Sequence, residues 1–337
     1  MRAAVLKGAG SVAVEERAAP RPGPGEVLVD VRSVGVCGSD VHYYEHGRIG
    51  RFVVDTPLVL GHEAAGVVVE LGEGVRGLRV GQRVSVEPGV PDRSCPQCLA
   101  GRYNLCPDMR FFATPPVDGA FAEQVVVHEA FAHPVPDGMS DDAAALLEPL
   151  SVGIWACTKG RVGAGARVLV TGAGPIGLVT VQAALAFGAT EVIVSDVNPD
   201  RLALARRFGA TEVVDARSVA LTEPAPPQVL LECSGIPAVI SDGVRALDRA
   251  GRAVLVGMGG DEVVLPLSAV QERELEVTGT FRYANTWPTA IALVASGRVD
   301  LDTMVTGHYG LDEAEDSLTA GRRDPTSVKV MLHPQAR

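Results

Sequence analysis

A thiol, an imidazole and a carboxylate stand at two points where apolar runs break: Cys37 in "VGVCGSDVH", and His62 with Glu63 in "VLGHEAAG". These side chains are zinc ligands, and three protein ligands with one open position make a catalytic rather than a structural zinc site. Asp40, in the same stretch as Cys37, could accept a hydrogen bond from His62 and hold its tautomer. Taken singly, each residue has a plainer role. His62 and Glu63 would cap a turn, Cys37 would be a buried thiol, and Asp40 would be a turn carboxylate. Cys95, Cys98 and Cys106 fall within about twelve residues of one another, a clustering that suggests a metal lobe or buried thiols. A disulfide framework is not expected in a chain of 337 residues whose N-terminus, "MRAAVLKGAG", has no secretory signal.

A second chemistry is written in "VTGAGPIG". Gly172, Gly174 and Gly177 have the G-x-G-x-x-G spacing, and the loop between them carries Pro175 and Ile176. The first glycine permits a tight turn, the second lets backbone approach a pyrophosphate, and the third lets helix and strand pack closely. The pyrophosphate then meets free N–H groups at a helix N-terminus. Asp196 closes the next apolar run, where a carboxylate accepts hydrogen bonds from ribose hydroxyls and repels a 2′-phosphate. The expected cofactor is therefore NAD. Arg201 is counted with the cofactor residues, and with Arg206 it leaves a lesser NADP activity open.

These residues need elements to hold them. The first 150 or so residues read as β-rich, with short runs such as "EVLVDVRSVGV" and "RVSVEP" punctuated by Gly and Pro. From Arg167 the rhythm becomes strand, helix, strand: "RVLVTGAGPIGLVTVQAALAFGA", "EVIVSD", "NPDRLALARRFGA", then "EVVDA", "QVLLECSG", "AVLVG" and "LEVTGTF". Near-continuous Val/Leu/Ile runs mean strands buried on both faces, and their alternation with helices means a doubly wound parallel sheet. "RSVALTEPAPP" is too proline-rich for a crossover helix and should be extended or a short turn. The tail carries two amphipathic stretches, consistent with a return to the first domain. The class is α/β, with domains expected at 1–150 plus 285–337 and at 151–284.

The formal net charge is −11, with no basic run, so nucleic acid and anionic membranes are poor partners. No apolar stretch approaches the length of a membrane span. A cytoplasmic protein is expected.

Together "CGSDVHYYEHGRIG", "GHEAAG", "GRYNLCPD", "FFATPPVDG", "LLEPLSVGIWAC", "GAGPIGL" and "FRYANTWP" resemble the zinc-dependent medium-chain dehydrogenases, and within them the sorbitol (polyol) dehydrogenase group. The resemblance covers nearly the whole chain. It implies a GroES-like catalytic domain beside the Rossmann domain, and a catalytic zinc on Cys37, His62 and Glu63. By the same resemblance Glu148 lies near the metal and binds it directly or through water, while Ser39 and His42 relay a proton to solvent. The superfamily often carries four cysteines spaced C-x2-C-x2-C-x7-C. Here Asp92 holds the first position before Cys95, Cys98 and Cys106, so the implied second, structural zinc would have an Asp/Cys3 set. Tyr43, Phe111, Thr114, Arg282 and Tyr283 correspond to the substrate walls. Cys157 and Cys233 read as inert core residues.

The implied activity is NAD-dependent oxidation of a polyol secondary alcohol to a ketose, in a chain that is commonly a homotetramer. Diol, threonine or cyclitol dehydrogenation, and cofactor binding without turnover, are the alternatives.

Overall fold

A computed structural model describes residues 1–336. They form two compact units, Met1–Glu148 with the segment from Leu301 onward, and Pro149–Asp300.

The first unit is built on a mixed sheet of seven strands among the described residues. Its central strand, Glu26–Gly35, sets Val27, Leu28, Val29, Val31 and Val34 among Glu26, Asp30, Arg32 and Ser33 and is buried along most of its length. Such a strand needs cover on both sides. It pairs antiparallel with Glu63–Leu71, Gln124–His128 and Lys329–His333. The last of these then pairs parallel with Val305–Gly310. The C-terminal strand therefore inserts beside one of the earliest, and Gly35 is opposite both Glu63 and Met331. A smaller sheet joins Arg2–Gly8 to Ser11–Glu16 and Leu58–Val59. Val5, Leu6, Val29, Val34, Leu60 and Phe121 are core residues between these layers.

The second unit is a six-stranded parallel sheet. In chain order its strands are Arg167–Thr171, Glu191–Asp196, Glu212–Asp215, Val229–Glu232, Arg252–Leu255 and Glu276–Gly279. Numbered so, they lie in the spatial order 3-2-1-4-5-6, the doubly wound arrangement whose chain reversal creates a dinucleotide crevice. The proline-rich connection after Asp215 contains turns and no helix, as its composition requires.

The helix Trp287–Ala295 belongs to this second unit. Trp287 is wholly buried, and Tyr283 meets it edge-on with ring centroids 5.2 Å apart. Gln182 closes the unit by donating to the Asp300 carbonyl at 3.0 Å and accepting from its N–H at 2.7 Å. Residues 285–300 are thus held by apolar burial and this paired amide contact, and the chain re-enters the first unit at Leu301. Among the described residues no helix is long and apolar enough to cross a membrane.

Trp287→Ala should lower the unfolding midpoint of the second unit, with a loss on the order of 3–5 kcal/mol for an aromatic side chain removed from a core. A denaturation midpoint equal to that of the unaltered chain would contradict this packing.

Candidate metal and dinucleotide sites

Cys37 ends an apolar run and is the N-cap of the helix Gly38–His46. Asp40, in the first turn, reaches back to accept the Cys37 N–H at 2.9 Å, and it also accepts the Gly61 N–H at 2.9 Å. One wholly buried carboxylate thus ties together the two chain segments that carry the candidate ligands. Its Oδ1 lies 3.9 Å from His62 Nδ1, beyond hydrogen-bond reach but close enough to act on the ring through its charge. Burial pushes the Asp40 pKa up, against the opposing pull of His62.

His62 and Glu63 follow at the start of the strand Glu63–Leu71 and are both buried. Their side chains meet Cys37, and the three ligand atoms all lie within 4.8 Å of one another. Burial opposes protonation of His62, yet Cys37, then Asp40 and Glu148, lift its pKa to about 10. The negative groups around His62 favour positive charge at that ring. The residues fit zinc: a soft sulfur, an imidazole and a carboxylate converge in a site that already favours positive charge.

Behind this cluster stands a residue that the motifs did not reveal. Lys329 Nζ lies 2.6 Å from Glu63 Oε1 and 2.5 Å from Oε2, and it donates to the Val36 carbonyl at 2.8 Å. Burial works against the Lys329 ammonium, but Glu63 overrides it and holds the pKa above the ordinary lysine value. The pairing needs a bare backbone alongside, because a Cβ on Gly35 would stand 2.0 Å from Glu63 Oε2. The one available signal was compositional: Lys329 stands between Val328 and the apolar start of its strand, "KVMLH".

The other candidates distribute around this cluster unevenly. Glu148 is buried at the start of the helix Leu147–Gly160 and acts on His62 and Lys329 through its charge. It is not one of the three residues whose ligand atoms meet. Ser39 is half-buried and His42 is exposed on the helix that Cys37 caps. Tyr43 is buried, and Phe111 packs a tilted ring against His62 with centroids 5.6 Å apart. Thr114 is half-buried in the adjoining turn, its N–H donating to Phe111. Arg282 and Tyr283 lie in the second unit, where Arg282 covers the Phe281 ring at 4.9 Å.

The thiol lobe is a second cluster. Asp92, Cys95, Cys98 and Cys106 also bring their ligand atoms within 4.8 Å of one another. Asp92 Oδ1 accepts the N–H groups of Ser94 at 2.8 Å and Cys95 at 2.9 Å, and these bonds from Cys95 and Ser94, helped by the Cys98 and Cys95 side chains, lower the Asp92 pKa to about 2. Burial raises the Cys98 thiol to about 12, with the Cys95 and Asp92 side chains adding to it. Three sulfurs and an anion packed together in this way suit a closed zinc site. Cys157 and Cys233 lie in the second unit, and burial raises both thiols.

In the second unit, Gly174 caps the helix Pro175–Ala186, and Pro175 is its first residue. A Cβ on Gly177 would stand 1.8 Å from the Gly172 carbonyl, so only glycine allows this helix to approach its strand. Asp196 ends its strand and accepts from Ala173 N–H, inside the glycine loop, at 2.6 Å and from Asn198 N–H at 2.8 Å. Arg201 follows in the helix Pro199–Arg207, and its Nε is buried with no partner among the described residues. Loop, helix start and strand-end carboxylate fit a dinucleotide.

Lys329→Met should destabilise the first unit by on the order of 3–5 kcal/mol, because Glu63 is left charged and unpaired in the interior. The double variant Glu63→Gln/Lys329→Met should recover part of that loss. Thermal unfolding of metal-depleted protein is the measurement, and a midpoint unchanged by Lys329→Met would show that the pair carries no stability.

Comparison with known proteins agrees with this geometry. Residues 23–137 match the alcohol dehydrogenase GroES-like domain, and residues 175–296 match the zinc-binding dehydrogenase family. Sorbitol dehydrogenase of Gallus gallus is 43% identical over 98% of this chain and 95% of its own length. A dehydrogenase from Escherichia coli, solved in complex with NADH, is 29% identical with a TM-score of 0.93 and covers 99% of both chains. A protein described as a zinc-binding dehydrogenase from Sinorhizobium meliloti, solved with NADP, is 33% identical with a TM-score of 0.91 and covers 99% of both chains. With its metal-ligand cluster on a GroES-like unit and its glycine loop on a doubly wound sheet, the chain belongs to the zinc-binding alcohol dehydrogenase family, among the relatives of the sorbitol dehydrogenases.

Proposed function

We propose that the chain oxidises a secondary hydroxyl of an open-chain polyol to the ketone, with zinc on Cys37, His62 and Glu63 and with NAD as hydride acceptor. The observation that carries this reading is the convergence of a thiol, an imidazole and a carboxylate within 4.8 Å, in a chain 43% identical to a sorbitol dehydrogenase. Zinc, when bound, supplies a Lewis acid that makes an alcohol oxygen more acidic, and NAD supplies the hydride acceptor.

The chain's own residues supply position, charge and a proton path. Asp40 ties the Cys37 and Gly61 backbones together and acts on the His62 ring through its charge. Lys329 holds Glu63. Ser39, two residues after Cys37, takes the proton of the substrate hydroxyl, and His42, exposed one turn later on the same helix face, passes it to solvent. Phe111 beside His62 keeps water from that side of the cluster. Glu148 adds negative charge that favours the metal.

Dinucleotide binding falls to the second unit, with the pyrophosphate on the loop Gly172–Gly177 and the adenosine ribose on Asp196. The free lone pairs of Asp196 suit ribose hydroxyls, and its charge disfavours a 2′-phosphate. Asp92, Cys95, Cys98 and Cys106 hold a second, structural zinc. A cytoplasmic homotetramer completes the reading, which light scattering checks; the exposed Met258, Val264 and Leu267 of the second unit are apolar surface that assembly would cover.

A site built to hydrogen-bond several hydroxyls rejects analogues that lack them, because its own polar groups are left unpaired. Sorbitol or xylitol should therefore exceed ethanol, butanol and threonine in kcat/KM by about 100-fold or more. NAD should exceed NADP, and Asp196→Ala should narrow that preference. Cys37→Ala should abolish turnover without unfolding the chain. NADH formation across the panel is the assay, and threonine as the best substrate, or full turnover by Cys37→Ala, would overturn the reading.

Zinc-replete protein should contain two zinc ions per chain. Cys98→Ser should lower the thermal midpoint more than it lowers kcat, since a closed site has no position for substrate. One zinc per chain, or a kcat loss without a stability loss, would remove the second zinc from the proposal.

A further inference from the structure

A third group of ligand-type side chains meets on the first unit, outside the two cysteine-containing clusters. His308 and His333 stand on the adjacent parallel strands Val305–Gly310 and Lys329–His333. His308 is opposite Met331, and His333 lies two residues beyond Met331, so strand alternation puts both histidines on one face. The first turn of the helix Asp141–Ala145 brings Asp142 to the same place.

The contacts converge on one carboxylate. His308 Nε2 lies 2.7 Å from Asp142 Oδ2, and His333 Nε2 lies 2.8 Å from Oδ1. Their rings are 4.9 Å apart and tilted by 38°. Ser33 Oγ donates to Asp142 Oδ1 at 2.6 Å and anchors the carboxylate from the sheet side. Burial alone would raise the Asp142 pKa, but hydrogen bonds from His333, Ser33 and His308 bring it down to about 2.

A purely structural tie between helix and sheet is already made by Ser33. His333 shares Oδ1 with Ser33, and His308 takes Oδ2. Two imidazoles with the same nitrogen turned inward place three ligand atoms within 4.8 Å of one another. The side chains of His308, 54% exposed, and His333, 32% exposed, open the cluster to solvent, while Asp142 is 16% exposed.

We propose that Asp142, His308 and His333 form a site for a divalent transition-metal ion. Two imidazole nitrogens and one carboxylate oxygen suit zinc, nickel or copper, whereas calcium and magnesium require oxygen ligands. Seating an ion at about 2.0–2.2 Å from each ligand takes a small outward turn of the two rings, which their exposure permits. Each imidazole carries its proton on Nδ1 in place of Nε2, so that an Nε2 lone pair faces the ion, and the ion replaces the hydrogen bonds that Asp142 accepts from the two rings. Water fills the remaining positions.

Calorimetric titration of untagged, zinc-replete protein with nickel tests the site, since nickel precedes copper in the affinity order and suits imidazole. The unaltered chain should bind one further equivalent at metal concentrations comparable to the protein. His308→Gln and His333→Gln should each lose it, while retaining zinc content and circular dichroism. His308 is exposed enough that its replacement leaves the fold intact. Failure of the unaltered chain to take up the further equivalent overturns the proposal. So does an equivalent that survives both replacements, which would belong to other surface histidines such as His42 and His46.

Discussion

The buried ion pair between Lys329 and Glu63 is the constraint on which the first unit turns. Both side chains are almost wholly inside, and each charge would be costly there without the other. The partners are 266 residues apart, so the pair exists only if the chain leaves the first unit, completes the second and returns. The return strand then lies against Glu26–Gly35, and its lysine reaches both Glu63 and the Val36 carbonyl, next to Cys37. One ammonium therefore sets the positions of two candidate zinc ligands. The discontinuity of the first unit and the arrangement of this candidate ligand cluster thus go together.

The two cysteine-containing clusters are assembled by different means. Asp92, Cys95, Cys98 and Cys106 are neighbours in sequence, and one loop positions them. The N–H groups of Ser94 and Cys95 turn the Asp92 carboxylate inward, and the Cys98 N–H donates to the Cys95 sulfur at 3.4 Å. Cys37 and His62 are joined instead through Asp40, which takes one hydrogen bond from each chain segment. The local cluster can form as soon as its loop closes. The other needs the sheet, because Cys37 and the pair His62 and Glu63 come from separate chain segments.

The second unit follows short-range rules throughout. Its strands are apolar runs joined by helices, its glycine loop sits at the chain reversal, and Asp196 is bonded directly to the loop it serves. The unit therefore needed little beyond pattern to be legible: strand, glycine spacing, helix and carboxylate appear in order along the chain. Its limit was less legible. Residues 285–300 were expected with the first domain; in the structure they lie in the second unit, with Trp287 in a buried site and Gln182 paired with the backbone of Asp300.

What is local or periodic could be read along the chain: the β-rich and parallel-sheet halves, the glycine loop between strand and helix, and the spacing of Cys95, Cys98 and Cys106, whereas Cys37, His62, Glu63 and Asp92 stood out only through resemblance to a family. Residue type and spacing carry the local features because each spans a few turns or one loop. Only the tertiary structure decided which distant groups meet. Lys329 had no motif, since its role depends on a partner on another strand. His308 and His333 had no ligand-like neighbours in the chain, and Asp142 reaches them only when a helix start folds over the strand pair. Glu148 was recognisable by its surroundings, yet its ligand atom stands outside the three that meet at the metal cluster. The reason is physical: the electrostatics of a buried site are set by distances through space, and the chain specifies those distances only after its strands have chosen their partners.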